Sequence, residues 1–287
     1  VAYIRTRLAL IIQHNPWLLS RLFKLPYYGI TAVYPNSKLL LDDIESIGCF
    51  EVVSNSELHH TMSYTNLSSS TIHLTVKKGN DCINKDEPLF KVVLIEIEAR
   101  KRYAVMMSLS HVVGDGHTFY RVHSMLHPTA TCTAMVPTRK QSIMEDVRLS
   151  QGNKFIDFLM SAKFVFGLVR GIYCFPTPTI SAFYLNKEWI QDQKDTYART
   201  HCDQSSLQVP PFISTNDIVT SWLCNLFKPS YAFMAYNLRN RMKGYNDDLA
   251  GNYETILMYC PMSYSKPEYI RQSIDTMKPR NETIPSF

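Results

Sequence analysis

The 287-residue sequence predicts a mixed α/β (α+β) chain, long enough for two domains of ordinary size or one large one. Three observations carry that prediction. Two β-rich runs, 89–98 and 103–110, flank a short basic stretch and read as a hairpin pair. The chain opens on apolar residues at helical spacing. A second series of strand-like and helix-like runs then begins after Pro176 and Pro178. With 45% hydrophobic and 19% charged residues, the composition is that of a globular chain and excludes a disordered one.

The elements follow in order. Ile4, Leu8, Ile11, Ile12, Leu18 and Leu19 recur at near-helical spacing, and Pro16 interrupts them. A helix should therefore end near Asn15, with a turn before 18–22. Short strands are expected at 28–34 and 39–41. Residues 54–70, rich in Ser, Asn and Thr, read as loop. Residues 71–76 alternate well enough for a strand, and the hairpin follows, turning at 99–102. A helix should run from about 116 to 126 with Phe119, Val122 and Leu126 inward, stopping before Pro128. Residues 128–154 read as a connector. Residues 155–175 are apolar but broken by Asp157, Lys163 and Arg170, which argues against a membrane span of about 20 predominantly apolar residues. A packed helix is expected there, with an interfacial membrane helix as the alternative. In the second half, a strand at 180–185 precedes a helix at 187–200. Ser214-Thr215-Asn216-Asp217 caps a helix reaching about 227, because its side chains satisfy the free first-turn amides. Strands are expected at 231–237 and 255–260.

The chemistry concentrates at 108–117, Ser-Leu-Ser-His-Val-Val-Gly-Asp-Gly-His. His111 stands at the mouth of a strand, where the strand fixes its backbone and the loop leaves its ring reachable. An imidazole ionises near neutral pH, which suits proton transfer. Other patterns carry less. The seven cysteines are scattered with no Cys-x-x-Cys pair, so neither a zinc site nor a disulfide framework is suggested, and a reducing compartment is the simplest reading. His123 and His127 share a helix face, but no third ligand accompanies them, so no metal is assigned. His59 and His60 fall in a polar loop and read as solvated. A net charge of +5 without a basic–aromatic stripe gives no support to nucleic-acid binding. Arg239 and Arg241 could form a phosphate-binding pair.

The His111-x-x-x-Asp115-Gly116 spacing resembles the signature of CoA-dependent acyltransferases, a group that includes chloramphenicol acetyltransferase, the plant-type BAHD enzymes and peptide-synthetase condensation domains. Leu18-Leu19-Ser20-Arg21-Leu22 resembles the BAHD family's early Leu-Ala-Gly-Arg-Leu segment. Residues 180–185 with the helix after them, and then 213–219, look like the opening of the second BAHD domain. Asn237-Leu238-Arg239-Asn240-Arg241 followed by Gly251-Asn252-Tyr253 is similar to the family's Arg-x-Arg and Gly-Asn pair. These matches run in family order across nearly the whole chain.

The resemblance implies two sandwich domains of the chloramphenicol acetyltransferase type, with a solvent channel between them and His111 near its middle. An N-terminal domain at 1–150, a crossover connector at 151–178 and a C-terminal domain at 179–287 are expected. The family's Asp-Phe-Gly-Trp-Gly signature is absent after Asn252, so the second domain is expected to be incomplete and the chain a truncated relative or a fragment. The resemblance also implies roles. His111 would be the general base for direct attack of a hydroxyl or amine on acyl-CoA in a ternary complex. Asp115 would turn away from substrate into a bidentate pair with Arg239, holding the loop. Gly116 would permit a tight turn with no side chain in the channel. Acyl-CoA is then a co-substrate, and no cofactor is permanently bound. The other partner is a small alcohol or amine, with no nucleic acid or membrane, and the protein is expected to be a cytoplasmic monomer. Two rivals stand beside this reading. One is a non-catalytic binding relative of the same fold. The other is a condensation or wax-ester-synthase-like enzyme, against which Ser110, where a second histidine is usual, weighs.

Overall fold

The computed structural model describes residues 1–35, 45, 47–55, 57–59, 61–97, 102–152, 157, 158, 160–174, 180–201 and 209–278. Mixed helices and sheets are present, and the chain divides into two compact units. The first comprises Val1–Arg139, Ile180–Ala182 and Leu238–Tyr253; the second comprises Lys140–Thr179, Phe183–Asn237 and Glu254–Phe287. Both units are discontinuous in sequence.

In the first unit, helix α1 (Ala2–His14) ends where Pro16 starts a 3-10 turn, Pro16–Leu19. Pro fits the first position of that turn because its missing N–H has no partner to lose there. Buried Asn15 sits at this junction with its amide fully engaged. Nδ2 donates to the Thr133 carbonyl at 2.9 Å, and Oδ1 accepts from Met135 N at 2.9 Å. Strands β1 (Arg21–Leu25) and β2 (Gly29–Val33) pair antiparallel around a turn in which Tyr27 and Gly29 take positive φ. Strand β3 (Phe50–Ser54) runs parallel to β4 (Phe90–Ile97), and β4 runs antiparallel to β5 (Arg102–Leu109). The expected hairpin is therefore there, with Phe90 opposite Leu109 and Ile97 opposite Arg102.

Strand β4 is the middle of this sheet, and both of its faces are covered. Phe90, Val92 and Leu94 join Leu8, Ile11 and Ile12 in one cluster, while Val93, Ile95 and Ile97 join Leu58 and Leu74 in another. A strand buried on both sides reads as a continuous apolar run, as Val92-Val93-Leu94-Ile95 does. Several local expectations are corrected. Within 54–70, helix α2 (Tyr64–Thr71) replaces loop. Ser63 caps it by accepting from Asn66 N, and Ser69 and Thr71 donate back to carbonyls one turn earlier, so the polar composition itself satisfies the helix. The strand expected at 71–76 is a 3-10 turn, Ile72–Leu74, closed by the Thr75 hydroxyl on Ile72 O. A one-turn helix α3 (Gly79–Cys82) follows. The strand expected at 39–41 lies outside the described residues.

The second unit holds helices α5 (Ile143–Gln151), α6 (Ala162–Cys174), α7 (Lys187–His201) and α8 (Thr215–Phe227), with α4 (Gly116–Ser124) belonging to the site described below. It also holds the antiparallel pair β6 (Ala232–Asn237) and β7 (Glu254–Tyr259), then α9 (Pro261–Tyr264) and α10 (Pro267–Thr276). The cap at Ser214 is a full capping box with Asp217. Helix α5 corrects the reading of 128–154 as connector throughout. No strand forms at 180–185: its apolar residues have no neighbouring strand among the described residues, and Phe183 and Tyr184 are exposed. Helix α6 forms as expected but is not packed around its apolar arc. Phe164 lies against Phe158 and Phe233, while Val165, Phe166, Leu168, Val169 and Tyr173 are exposed. Among the described residues no helix is long and apolar enough to cross a membrane.

Candidate functional site

Strand β5 delivers the chain to the site. Its ladder extends one residue past Leu109, with Ser110 N donating to Leu89 O at 2.7 Å. The chain then turns, Val113 N bonding back to Ser110 O, and leaves His111 exposed at the strand's end. Gly114 lies in a tight fit. A Cβ there would stand 2.8 Å from the Thr118 methyl and 3.0 Å from Leu109 Cδ2. Asp115 N-caps helix α4 (Gly116–Ser124), its Oδ1 accepting from Thr118 N at 3.0 Å. Of the residues expected to face inward on α4 and its exit, Val122 is fully buried and Phe119 and Leu126 partly so.

Asp115 is 3% exposed, and a buried carboxylate needs compensation on both oxygens. It has that. Arg239 Nη1 donates to Oδ2 at 2.8 Å and the Tyr253 amide donates to the same oxygen at 2.9 Å. The rest of the guanidinium ties the neighbourhood together: Nε donates to Leu249 O at 2.8 Å and Nη2 to Gly251 O at 2.9 Å and to Thr118 Oγ1 at 3.2 Å. Its Cζ also lies over the Tyr253 ring, 5.0 Å from the ring centre. The Thr118 hydroxyl, fully buried, has one proton to place, between Asp115 Oδ1 at 3.0 Å and Gly251 O at 3.1 Å. Burial alone would raise the Asp115 pKa. The Arg239 hydrogen bond, the Thr118 and Tyr253 amides and the arginine's charge outweigh it and hold the carboxyl below its ordinary value.

The segment that supplies Arg239 is itself pinned to the first unit. Val136 pairs with Leu249 in an isolated parallel bridge, and Tyr253 Oη donates to Thr138 O at 3.0 Å. Gly251 takes φ +129°, a conformation open to glycine and strained for other residues. In that conformation its carbonyl receives Asp115 N at 3.2 Å and its N–H donates to Thr118 Oγ1 at 3.1 Å. The next residue, Asn252, donates through Nδ2 to the His111 carbonyl at 2.7 Å.

Asp115 and Arg239, paired in the sequence reading on resemblance alone, are thus in contact, and His111 stands at the exposed end of the same loop. Gly116 is not crowded. It opens α4 without a positive φ, and a Cβ there would meet nothing within 4 Å; the crowded glycine is Gly114. Thr118 and Gly114 were passed over in the sequence, and Asn252 was read only as half of a Gly-Asn match. An Asp followed three residues later by a threonine at a helix start is a capping pattern, and it was the available signal for Thr118. Among the described residues no group of three or more His, Cys, Asp and Glu could hold a metal ion.

No known protein-family profile matches the sequence, and no curated protein matches it. Solved structures do. The first condensation domain of the calcium-dependent antibiotic synthetase is 12% identical over 96% of this chain and 65% of its own, with a TM-score of 0.51. F. sporotrichioides TRI101, solved with coenzyme A and T-2, is 11% identical over 96% of this chain and 63% of its own, with a TM-score of 0.51. The condensation domain of the monacolin K polyketide synthase MokA is 9% identical over 96% and 65%, again at 0.51. At these identities the likeness is one of fold: the chain has the mixed α+β fold of condensation domains and of this CoA-complexed protein. It spans just under two thirds of the length of those structures.

Proposed function

We propose that the protein transfers an acyl group from acyl-CoA to a hydroxyl or amine acceptor, with His111 as general base, and that within this fold it is of the BAHD type. One observation carries the reading: the loop bearing His111 is held by a buried Asp115–Arg239 pair whose arginine comes from a remote segment, while His111 itself remains exposed. Rigid support beneath a reachable imidazole is what proton transfer needs. A relative in fold that is complexed with coenzyme A adds support for a thioester donor.

In the proposed step the acceptor's O–H or N–H gives its proton to the His111 imidazole as its oxygen or nitrogen attacks the thioester carbonyl. The new C–O or C–N bond forms and a tetrahedral oxyanion results. Its collapse breaks the C–S bond, and the imidazolium returns the proton to the departing thiolate, yielding free CoA and the acylated acceptor. Asp115 and Arg239 hold the loop and take no proton. No resident cofactor is needed.

The test is thiol release from a panel of acyl-CoAs with pooled alcohols and amines, run on wild type and His111→Ala, with products identified by mass spectrometry. Acceptor-dependent release that falls by about 10²–10⁴-fold in His111→Ala is expected. Release that survives the substitution removes His111 as the base. A folded chain that binds acyl-CoA without turnover would be the non-catalytic relative instead.

A further inference from the structure

We propose that Asn252 is a positioning residue for His111, fixing the histidine's backbone through its carbonyl; the inference rests on the reading of His111 as the base. Three observations meet here. Asn252 Nδ2 donates to His111 O at 2.7 Å, a contact between residues remote in sequence. Asn252 Oδ1 is buried and has no hydrogen-bond partner among the described residues. The residue before it, Gly251, is clamped on both its N–H and its carbonyl by Thr118, Asp115 and Arg239.

The arrangement makes a rigid relay. Arg239 and Thr118 hold Gly251, Gly251 sets where the Asn252 side chain starts, and its Nδ2 meets the peptide carbonyl of His111. On the other side, β5 anchors the chain only as far as Ser110. His111 is the first residue past the ladder, and Asn252 Nδ2 holds its carbonyl. The amide can hold only one orientation. Turned over, it would set Oδ1 against the His111 carbonyl, acceptor against acceptor. The role is therefore that of a donor, not a filler of space.

That distinction gives the test. Asn252→Asp is nearly isosteric and replaces the donor with a second acceptor, while Asn252→Ala removes the side chain. A donor role predicts that kcat falls at least about tenfold in N252D, no less than in N252A, with KM nearly unchanged. A packing role predicts the reverse order. The second measurement needs no turnover. In ¹⁵N-histidine-labelled full chain, the imidazole signals of His111, assigned by their loss in His111→Gln, should shift or broaden in N252D. Signals superimposable on wild type, or N252A harming kcat more than N252D, would overturn the proposal. If wild type turns over no donor while the His111 signals move in N252D, the acyl-transfer reading fails and the positioning role stands.

Discussion

At the scale of single residues, the energetics of the site turn on the 3%-exposed carboxylate of Asp115 and the 2%-exposed guanidinium of Arg239. Two charges taken out of water cost several kcal/mol each unless paired and hydrogen-bonded, and removal of one partner leaves the other stranded. Arg239→Ala is therefore expected to lower the unfolding free energy by about 3–5 kcal/mol, read by urea denaturation. Thr118→Val keeps the shape and deletes the hydroxyl that Arg239 Nη2 and Gly251 N donate to. It should cost about 1–3 kcal/mol, the penalty of leaving buried polar groups unpaired. A loss below 1 kcal/mol in Arg239→Ala would mean that the pair is not stabilised as described. The carboxyl also predicts a pH dependence. Its folded pKa lies below its ordinary value, so the folded state binds fewer protons than the unfolded one. The stability it contributes is then fully present above the unfolded value of about 3.9 and is lost as pH falls through the folded one. The gap in unfolding free energy between wild type and Asp115→Ala should be flat from pH 7 down to about pH 5 and should close on further acidification. A gap that widens in acid would reverse the sign argued here.

At the scale of elements, the start of α4 separates two glycines that the sequence could not rank. In Gly114→Ala the new methyl would press on Thr118 and Leu109, and crowding of this kind costs about 1–3 kcal/mol. In Gly116→Ala the methyl meets nothing within 4 Å and the residue opens a helix, so stability should hold or rise by about 0.4–1 kcal/mol. Thermal melts of the two variants check this, and a large loss in Gly116→Ala would mean that Gly116 is the constrained glycine. The same contrast explains what was legible. Elements specified by local chemistry could be read: the Ser214–Asp217 capping box, the stop at Pro16, and the β4–β5 hairpin with its near partners. Helix α2 could not, because Ser and Thr side chains that usually mark loops here bond back to its own carbonyls. Strand β3 was missed because its partner, β4, is parallel and remote in sequence. The apolar run at 180–185 read as a strand, yet a strand exists only where a neighbour takes its hydrogen bonds. In the site, Asp115 and Arg239 were readable through motif resemblance and Thr118 only through its place three residues after the capping Asp115, whereas Asn252 acts through a contact with a residue remote in sequence that no spacing announces.

At the scale of the whole molecule, the first unit is completed by residues from the far half of the chain. Residues 238–253 bring Leu238, Tyr245, Ala250 and Tyr253 into burial there, along with the Arg239 guanidinium and the Tyr253 amide that Asp115 requires. The family resemblance placed a boundary near residue 150, and that boundary makes a direct prediction. A fragment of residues 1–150 would keep the Asp115 carboxylate and lose its cation, at about 3–5 kcal/mol. It would also expose the apolar surface that buried Leu238 and Tyr253 cover, at about 1.5–3 kcal/mol for each such side chain. Whole proteins are stable by only about 5–15 kcal/mol, so those losses should take most or all of the margin. The fragment is expected to show no cooperative urea transition at neutral pH. The same fragment joined through a flexible Gly/Ser linker to residues 238–253 should regain one, and Arg239→Ala in the joined chain should remove it again. A cooperative transition in 1–150 alone, at the midpoint of the intact chain, would mean that the remote segment docks on a unit already folded without it, and the Asp115–Arg239 pair would then be an attachment to the loop and not its support.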